Sequence, residues 1–145
     1  MAEFADPVVQ ALLGEVLDEL SERYGGSGDD TPIATDDFTP PNGAFFVADD
    51  GERLIGCAGW RRHGSDAELK RMFTAKAARG RGLGRRLLAA VEESAREAGF
   101  QRLILETGDK QPEAVALYGS AGYQRIEDFG YYKGHAGVLS YAKTL

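Results

Sequence analysis

Apolar positions recur along this chain with two different periods, and the switches between them divide it into elements. After Asp6-Pro7, which opens a helix with proline in the first turn, apolar side chains fall at Val9, Leu12, Leu13, Val16, Leu17, Leu20 and Tyr24. That spacing is one face of an amphipathic helix, ending at Gly25-Gly26. From Ser27 to Asn42 the pattern dissolves into glycine, serine, aspartate, threonine and three prolines, which predicts a long loop. Loops of that length in compact domains are often functional or mobile. Period two then takes over. Ala44 to Ala48 and Arg53 to Trp60 predict two strands joined by the turn Asp49-Asp50-Gly51-Glu52. A turn at His63-Gly64-Ser65-Asp66 leads into a third strand, Ala67 to Thr74, long and charged for its position.

The helical period returns at Leu83, Leu87, Leu88, Val91, Ala95 and Ala98 and stops at Gly99. Leu103-Ile104-Leu105 is a short apolar run suited to a central buried strand. Gln111 to Ser120 predicts another helix with Pro112 in its first turn, ended by Gly122. Gln124 to Ile126 and Val138 to Ala142 predict late strands, separated by the loop Phe129-Gly130-Tyr131-Tyr132-Lys133-Gly134. At 145 residues the chain fits one domain, residues 1–145, with an ordinary core.

Charge narrows the partners. A formal charge of -6 and a pI near 4.9 disfavour nucleic acid and anionic membranes, which are held by basic faces. One cysteine, Cys57, excludes an internal disulfide, and His63 and His135 are too few soft ligands for zinc, so no metal is expected. Neither a signal-peptide pattern nor an apolar run of about 20 residues is present, which predicts a soluble, cytoplasmic protein. Cys57, within an apolar strand and without an evident histidine partner, reads as a buried, inert thiol.

Candidate chemistry concentrates between Glu68 and Gly84. Glycines at 80, 82 and 84 precede a helix, where unshielded backbone N–H groups and the helix dipole favour an anion, phosphate above all. A dinucleotide fingerprint requires a third glycine at position 85, which is Arg85, and the lysine and hydroxyl of a P-loop are absent. A purely structural glycine turn is the other reading. Along the preceding strand, strict alternation puts Glu68, Lys70, Met72 and Thr74 on one face and Leu69, Arg71 and Phe73 on the other, unless a bulge near Met72 or Phe73 intervenes.

Arg79-Gly80-Arg81-Gly82-Leu83-Gly84 resembles the hallmark of the GNAT superfamily of N-acetyltransferases: Gln or Arg, two residues, Gly, one residue, then Gly or Ala. The strand Glu68 to Thr74 before it, the strand Leu103 to Thr107 after it, and Ala114-Val115-Ala116-Leu117-Tyr118 followed by Gly122-Tyr123 add independent likenesses. The resemblance covers about residues 44 to 145. It implies an α/β fold with a mixed, mostly antiparallel sheet, helices on both faces and a splayed strand pair that admits acyl-CoA. Two departures stand out. Only Met1 to Ala5 precede the first helix, so the family's first strand is missing or very short. That would leave a sheet edge for a second subunit of a homodimer, or the C-terminal strand, to cover. Gln111 stands where many relatives carry Asn.

The resemblance also implies roles. Arg79, Gly80, Arg81, Gly82, Leu83, Gly84 and Arg85 would hold the diphosphate of acetyl-CoA, with Arg86 adding charge, and Gln111 would hydrogen-bond to the cofactor. Met72, Phe73 and Thr74 would meet the pantetheine arm and thioester through their backbone. Glu68 would be the general base, against the bland reading of a strand-end glutamate paired with Lys70 or Arg71, and Glu106 is the reserve. Tyr118 would meet the departing sulfur, against the reading of a core tyrosine. From the residues themselves, Trp60, Arg61 and Arg62, at a strand end, and Tyr131, with Tyr132, are candidates for the acceptor site, Arg61 and Arg62 reading equally as solvated surface. Asp29, Asp30, Asp36 and Asp37 would suit a polyamine or aminoglycoside. The implied activity is transfer of an acetyl group to a primary amine of a small molecule. The alternatives are a protein amine as acceptor, another acyl donor, or a non-catalytic acyl-CoA sensor.

Overall fold

The computed structural model describes residues 2–4, 6–14, 33–34, 36–75 and 78–145. Residues 7–14 form helix α1, where the Asp6 side chain accepts from the Val8 amide at 2.9 Å and so satisfies one of the orphan donors of the first turn. The expected continuation through Val16, Leu17, Leu20 and Tyr24 to Gly25-Gly26, and Asp29 and Asp30 of the acidic loop, lie outside the described residues. Six strands follow: β1 (Gly43–Asp49), β2 (Leu54–His63), β3 (Asp66–Thr74), β4 (Arg102–Gly108), β5 (Gln124–Arg125) and β6 (Val138–Thr144). Two helices lie between them, α2 (Leu83–Glu97) and α3 (Pro112–Ser120).

The strands make one sheet in the order β1-β2-β3-β4-β6-β5. Every pairing is antiparallel except β3 with β4, which α2 connects as a crossover. Alternation decides what each face covers. Ala58, Trp60, Leu69, Leu103 and Leu105 face α2 and α3, burying Leu87, Leu88 and Val91 of α2 completely or nearly so. Phe45 and Cys57 point the other way, against Phe38 and the Val9, Leu12 and Leu13 stripe of α1. Helices therefore stand on both faces.

The sheet is splayed in its middle. β3 and β4 are paired only at Ala67↔Leu103 and Glu68↔Ile104, although each strand runs on for several residues. Arg102 clasps the paired end, donating to both oxygens of Asp66 at 3.2 and 2.7 Å, the two-pronged geometry that suits guanidinium to carboxylate. Beyond it the strands part and leave a gap.

The first strand of the resemblance reduces, among the described residues, to a single antiparallel bridge between Ala2 and Phe45, with the Ala2 amide donating at 2.7 Å. The C-terminal strand does not cover that edge. β6 inserts between β4 and β5, on the far side of the sheet from β1, because its apolar positions continue the buried face of β4.

The predicted bulge lies at Arg71. Three residue steps on β3, from Lys70 to Phe73, face two on β2, from Gly59 to Cys57, and Arg71 takes up the extra residue with φ 57. The Cys57 thiol, fully buried, donates to the Arg71 carbonyl at 3.1 Å and so satisfies one polar group of the bulge. Burial pushes this thiol up from 9.0 to about 12. The folded state thus keeps a proton that the unfolded chain gives up, so stability is unaffected well below pH 9.0 and falls as pH climbs from 9.0 towards 12. Iodoacetamide at mildly alkaline pH is expected to label Cys57 only after denaturant is added; stoichiometric labelling of the native protein would refute its enclosure.

Candidate functional site

Past the bulge, β3 delivers Met72, Phe73 and Thr74 to one wall of a cavity of about 580 Å³. The opposite wall is α3, and the turn into α2 forms the end between them. Each glycine of that turn has its own reason. Gly80 and Gly82 hold φ of 83° and 74°, a left-handed backbone in which a Cβ crowds the following carbonyl. Gly84 instead keeps space: a Cβ there would stand 3.3 Å from Leu117 and 3.4 Å from Met72 across the cavity.

The N-terminus of α2 is suited to an anion. Gly82 supplies no side-chain cap and the first turn contains no acidic residue, so its amide donors have no competing carboxylate of their own. Arg79 and Arg85 bring positive charge to the lining. Arg79 donates to the Thr74 carbonyl at 3.1 Å and lies 5.7 Å over the Phe73 ring, tying the glycine turn to the end of β3. Arg85 donates to the Ser120 hydroxyl at 2.6 Å and joins the start of α2 to the end of α3.

Tyr118 is the one residue that α3 buries. Its hydroxyl is aimed at the Met72 sulfur, 3.8 Å away, a weak acceptor that a better one can replace. Burial pushes the phenol above its ordinary value of 10.0, so the group stays a donor throughout the neutral range.

Of the residues expected at the cofactor, Met72, Phe73, Thr74, Arg79, Gly80, Gly82, Leu83, Gly84, Arg85 and Gln111 all line this cavity, together with Tyr118. Arg81 does not. It is exposed between the two left-handed glycines and lies off the lining, as does the exposed Arg86. The sequence reading missed Ala114, Leu117 and Ser120 of α3. Their signal was available, since Gln111, Ala114 and Tyr118 recur at helical spacing and share one face.

The other expected residues lie elsewhere. Trp60 is 2% exposed, donates from Nε1 to the Ser94 hydroxyl at 2.9 Å and packs edge-on against Phe100, so it is a core residue beneath α2. Arg61, one residue on, points to the opposite face and bridges two carboxylates, Asp37 at 3.0 Å and Glu68 at 3.1 Å. Glu68 is 1% exposed, with His63 a further 3.8 Å from the same carboxylate oxygen. This cluster does not line the cavity. Glu106 stands two residues beyond the last residue of β4 that pairs with β3, half-buried, and accepts from the Tyr132 amide at 3.2 Å. The loop closes on it so tightly that a Cβ at Gly130 would run into its carboxylate. Tyr131, on that loop, is 50% exposed and packs edge-on against Tyr132.

Known proteins share this fold. Residues 13–123 match the family model described as Acetyltransferase (GNAT) family. A protein of Azospirillum brasilense named IAA acetyltransferase is 36% identical over 129 residues, covering 88% of this chain and 83% of its own. Among solved structures, a Klebsiella pneumoniae protein described as an acyl-CoA N-acyltransferase superposes with a TM-score of 0.81 at 29% identity, over 99% of this chain and 94% of that one. A GNAT-family acetyltransferase of Elizabethkingia anophelis, solved with acetyl-CoA bound, superposes with a TM-score of 0.63 at 19% identity, over 80% and 93% of the two chains.

Proposed function

Because the chain belongs to the acetyltransferase (GNAT) family and is an N-acetyltransferase, we propose that it moves an acetyl group from acetyl-CoA directly to a primary amine of a small molecule. The observation that carries this reading is one cavity shared by a helix start suited to an anion, a strand end that has parted from β4 and a buried phenol. The α2 amides with Arg79 and Arg85 hold the diphosphate. The pantetheine arm lies along Met72, Phe73 and Thr74, on the side of β3 where pairing with β4 has ended. An N–H at the bulge meets the thioester oxygen, where charge develops as the amine attacks; one such donor is worth about 3 kcal/mol. Tyr118 meets the sulfur as it leaves. Support for acetyl-CoA as the donor comes from the bound relative of the same fold.

An amine with a free pKa near roughly 10.4 must lose a proton before it attacks. We assign that proton to Glu106 rather than Glu68. Glu68 sits at the paired end of β3 and is bonded to Arg61, whereas Glu106 stands two residues past Ile104, where β3 and β4 have parted. Glu106→Gln is expected to lower kcat/KM about 10²- to 10⁴-fold at neutral pH, with the deficit shrinking as rising pH supplies free amine. Glu68→Gln should disturb stability more than the pH profile, because it leaves Arg61 with one carboxylate. The opposite pattern returns the base to Glu68.

The acceptor is to be found by measuring thiol release from acetyl-CoA across amino acids, polyamines, aminoglycosides and peptides. A small-molecule amine should give the highest rate; turnover confined to peptides would overturn the substrate class, and none at all would favour an acyl-CoA sensor.

A further inference from the structure

Behind Tyr118 lies a polar group that the proposed chemistry does not use. Tyr123 packs edge-on against the Tyr118 ring at 5.7 Å between centroids, and its amide donates to the Tyr118 carbonyl at 3.0 Å. The Tyr123 hydroxyl donates to Glu92 of α2 at 2.6 Å. Lys143 of β6 donates to both oxygens of the same carboxylate at 3.2 Å, and its ammonium lies 5.6 Å over the Tyr123 ring. The Glu92 side chain is only 12% exposed and that of Lys143 29%. Taking such a pair out of water costs free energy that an apolar trio of the same volume would not.

The arrangement makes sense as a fixture. Helix α3 has nine residues and buries only Tyr118, so the seat of the helix and the place of the phenol are one and the same. Without a rigid wall behind the ring, the helix and the hydroxyl would shift together. Tyr123, beside Tyr141, supplies that wall, and Glu92 with Lys143 fastens it to α2 and β6. We propose that Tyr123, Glu92 and Lys143 are positioning residues that hold the Tyr118 hydroxyl in register with the leaving sulfur. The inference rests on the reading of Tyr118 as the group that meets that sulfur.

Tyr123→Phe tests it with least disturbance, since the ring stays and the Glu92–Lys143 pair is kept. The expected result is a fall in kcat of about tenfold with the KM for acetyl-CoA unchanged, because misplacing a reacting group by a fraction of an ångström slows the step without weakening binding. In a Tyr118→Phe background the same substitution should do almost nothing. Glu92→Gln, which can still accept from Tyr123, should lose less than Glu92→Leu. An undiminished loss in the Tyr118→Phe background, or equal losses in kcat and cofactor binding, would show a merely structural role and overturn the proposal. If Tyr118→Phe alone is slow but Tyr123→Phe matches the parent, the inference fails and the reading of Tyr118 stands. If Tyr118→Phe is as fast as the parent, that reading fails first.

Discussion

Tyr118→Phe is expected to lower kcat about 10²-fold while calorimetry finds the affinity for acetyl-CoA unchanged. General acids contribute up to about 10⁴-fold, and the smaller figure follows from the chemistry of this site. A phenol near roughly 10 already holds its proton more firmly than a thiol near 8.5, and burial raises the Tyr118 phenol further. Complete transfer to the thiolate is therefore uphill. What remains is a hydrogen bond to a charged sulfur, worth about 1.5–3 kcal/mol, or roughly ten- to 150-fold in rate. The sign of the pH dependence follows as well: kcat should not fall from loss of this proton anywhere between neutrality and pH 10.0, since the group titrates above that value. A twofold effect, or a matching loss of cofactor affinity, would place Tyr118 in the core and out of the reaction.

Gly82→Val is expected to weaken acetyl-CoA binding by about five- to thirtyfold, on the reasoning that a left-handed backbone costs a branched residue roughly 1–2 kcal/mol. Gly82 sits at φ 74° and caps α2, so relief of the strain turns the amides of the first turn away from the diphosphate. Gly64→Val supplies the control. Gly64 is also left-handed, at φ 61°, and a Cβ there has open space, but it lies in the β2–β3 turn. It should lower the melting temperature without changing acetyl-CoA affinity. Equal affinity in both variants would mean that the glycine turn is only structural.

What the sequence made legible follows from which signals are local. Period and turn chemistry placed every strand of the sheet and the start and stop of α2, because Gly51, Gly64, Gly99 and Gly122 punctuate runs of clear alternation. The residues that line the cavity were legible through the resemblance, because Arg79 to Gly84 and Ala114 to Tyr118 are each contiguous motifs. The acceptor side was not. Whether Trp60 or Arg61 faces the core depends on which face α2 covers, a matter of crossover geometry that strand periodicity does not contain. The side chain of Glu68 parted from that of Met72 because the extra residue at Arg71 reverses the alternation. No sequence rule links Glu92 to Lys143, which are 51 positions apart and meet only through tertiary packing.

The most direct test of the central claim follows both products of one reaction. With the best amine from the panel, the protein should release free thiol from acetyl-CoA and form acetylated amine in equal amounts, as transfer to that amine requires. Tight binding of acetyl-CoA with neither product formed would contradict the account, and thiol without acetylated amine would reduce the activity to hydrolysis.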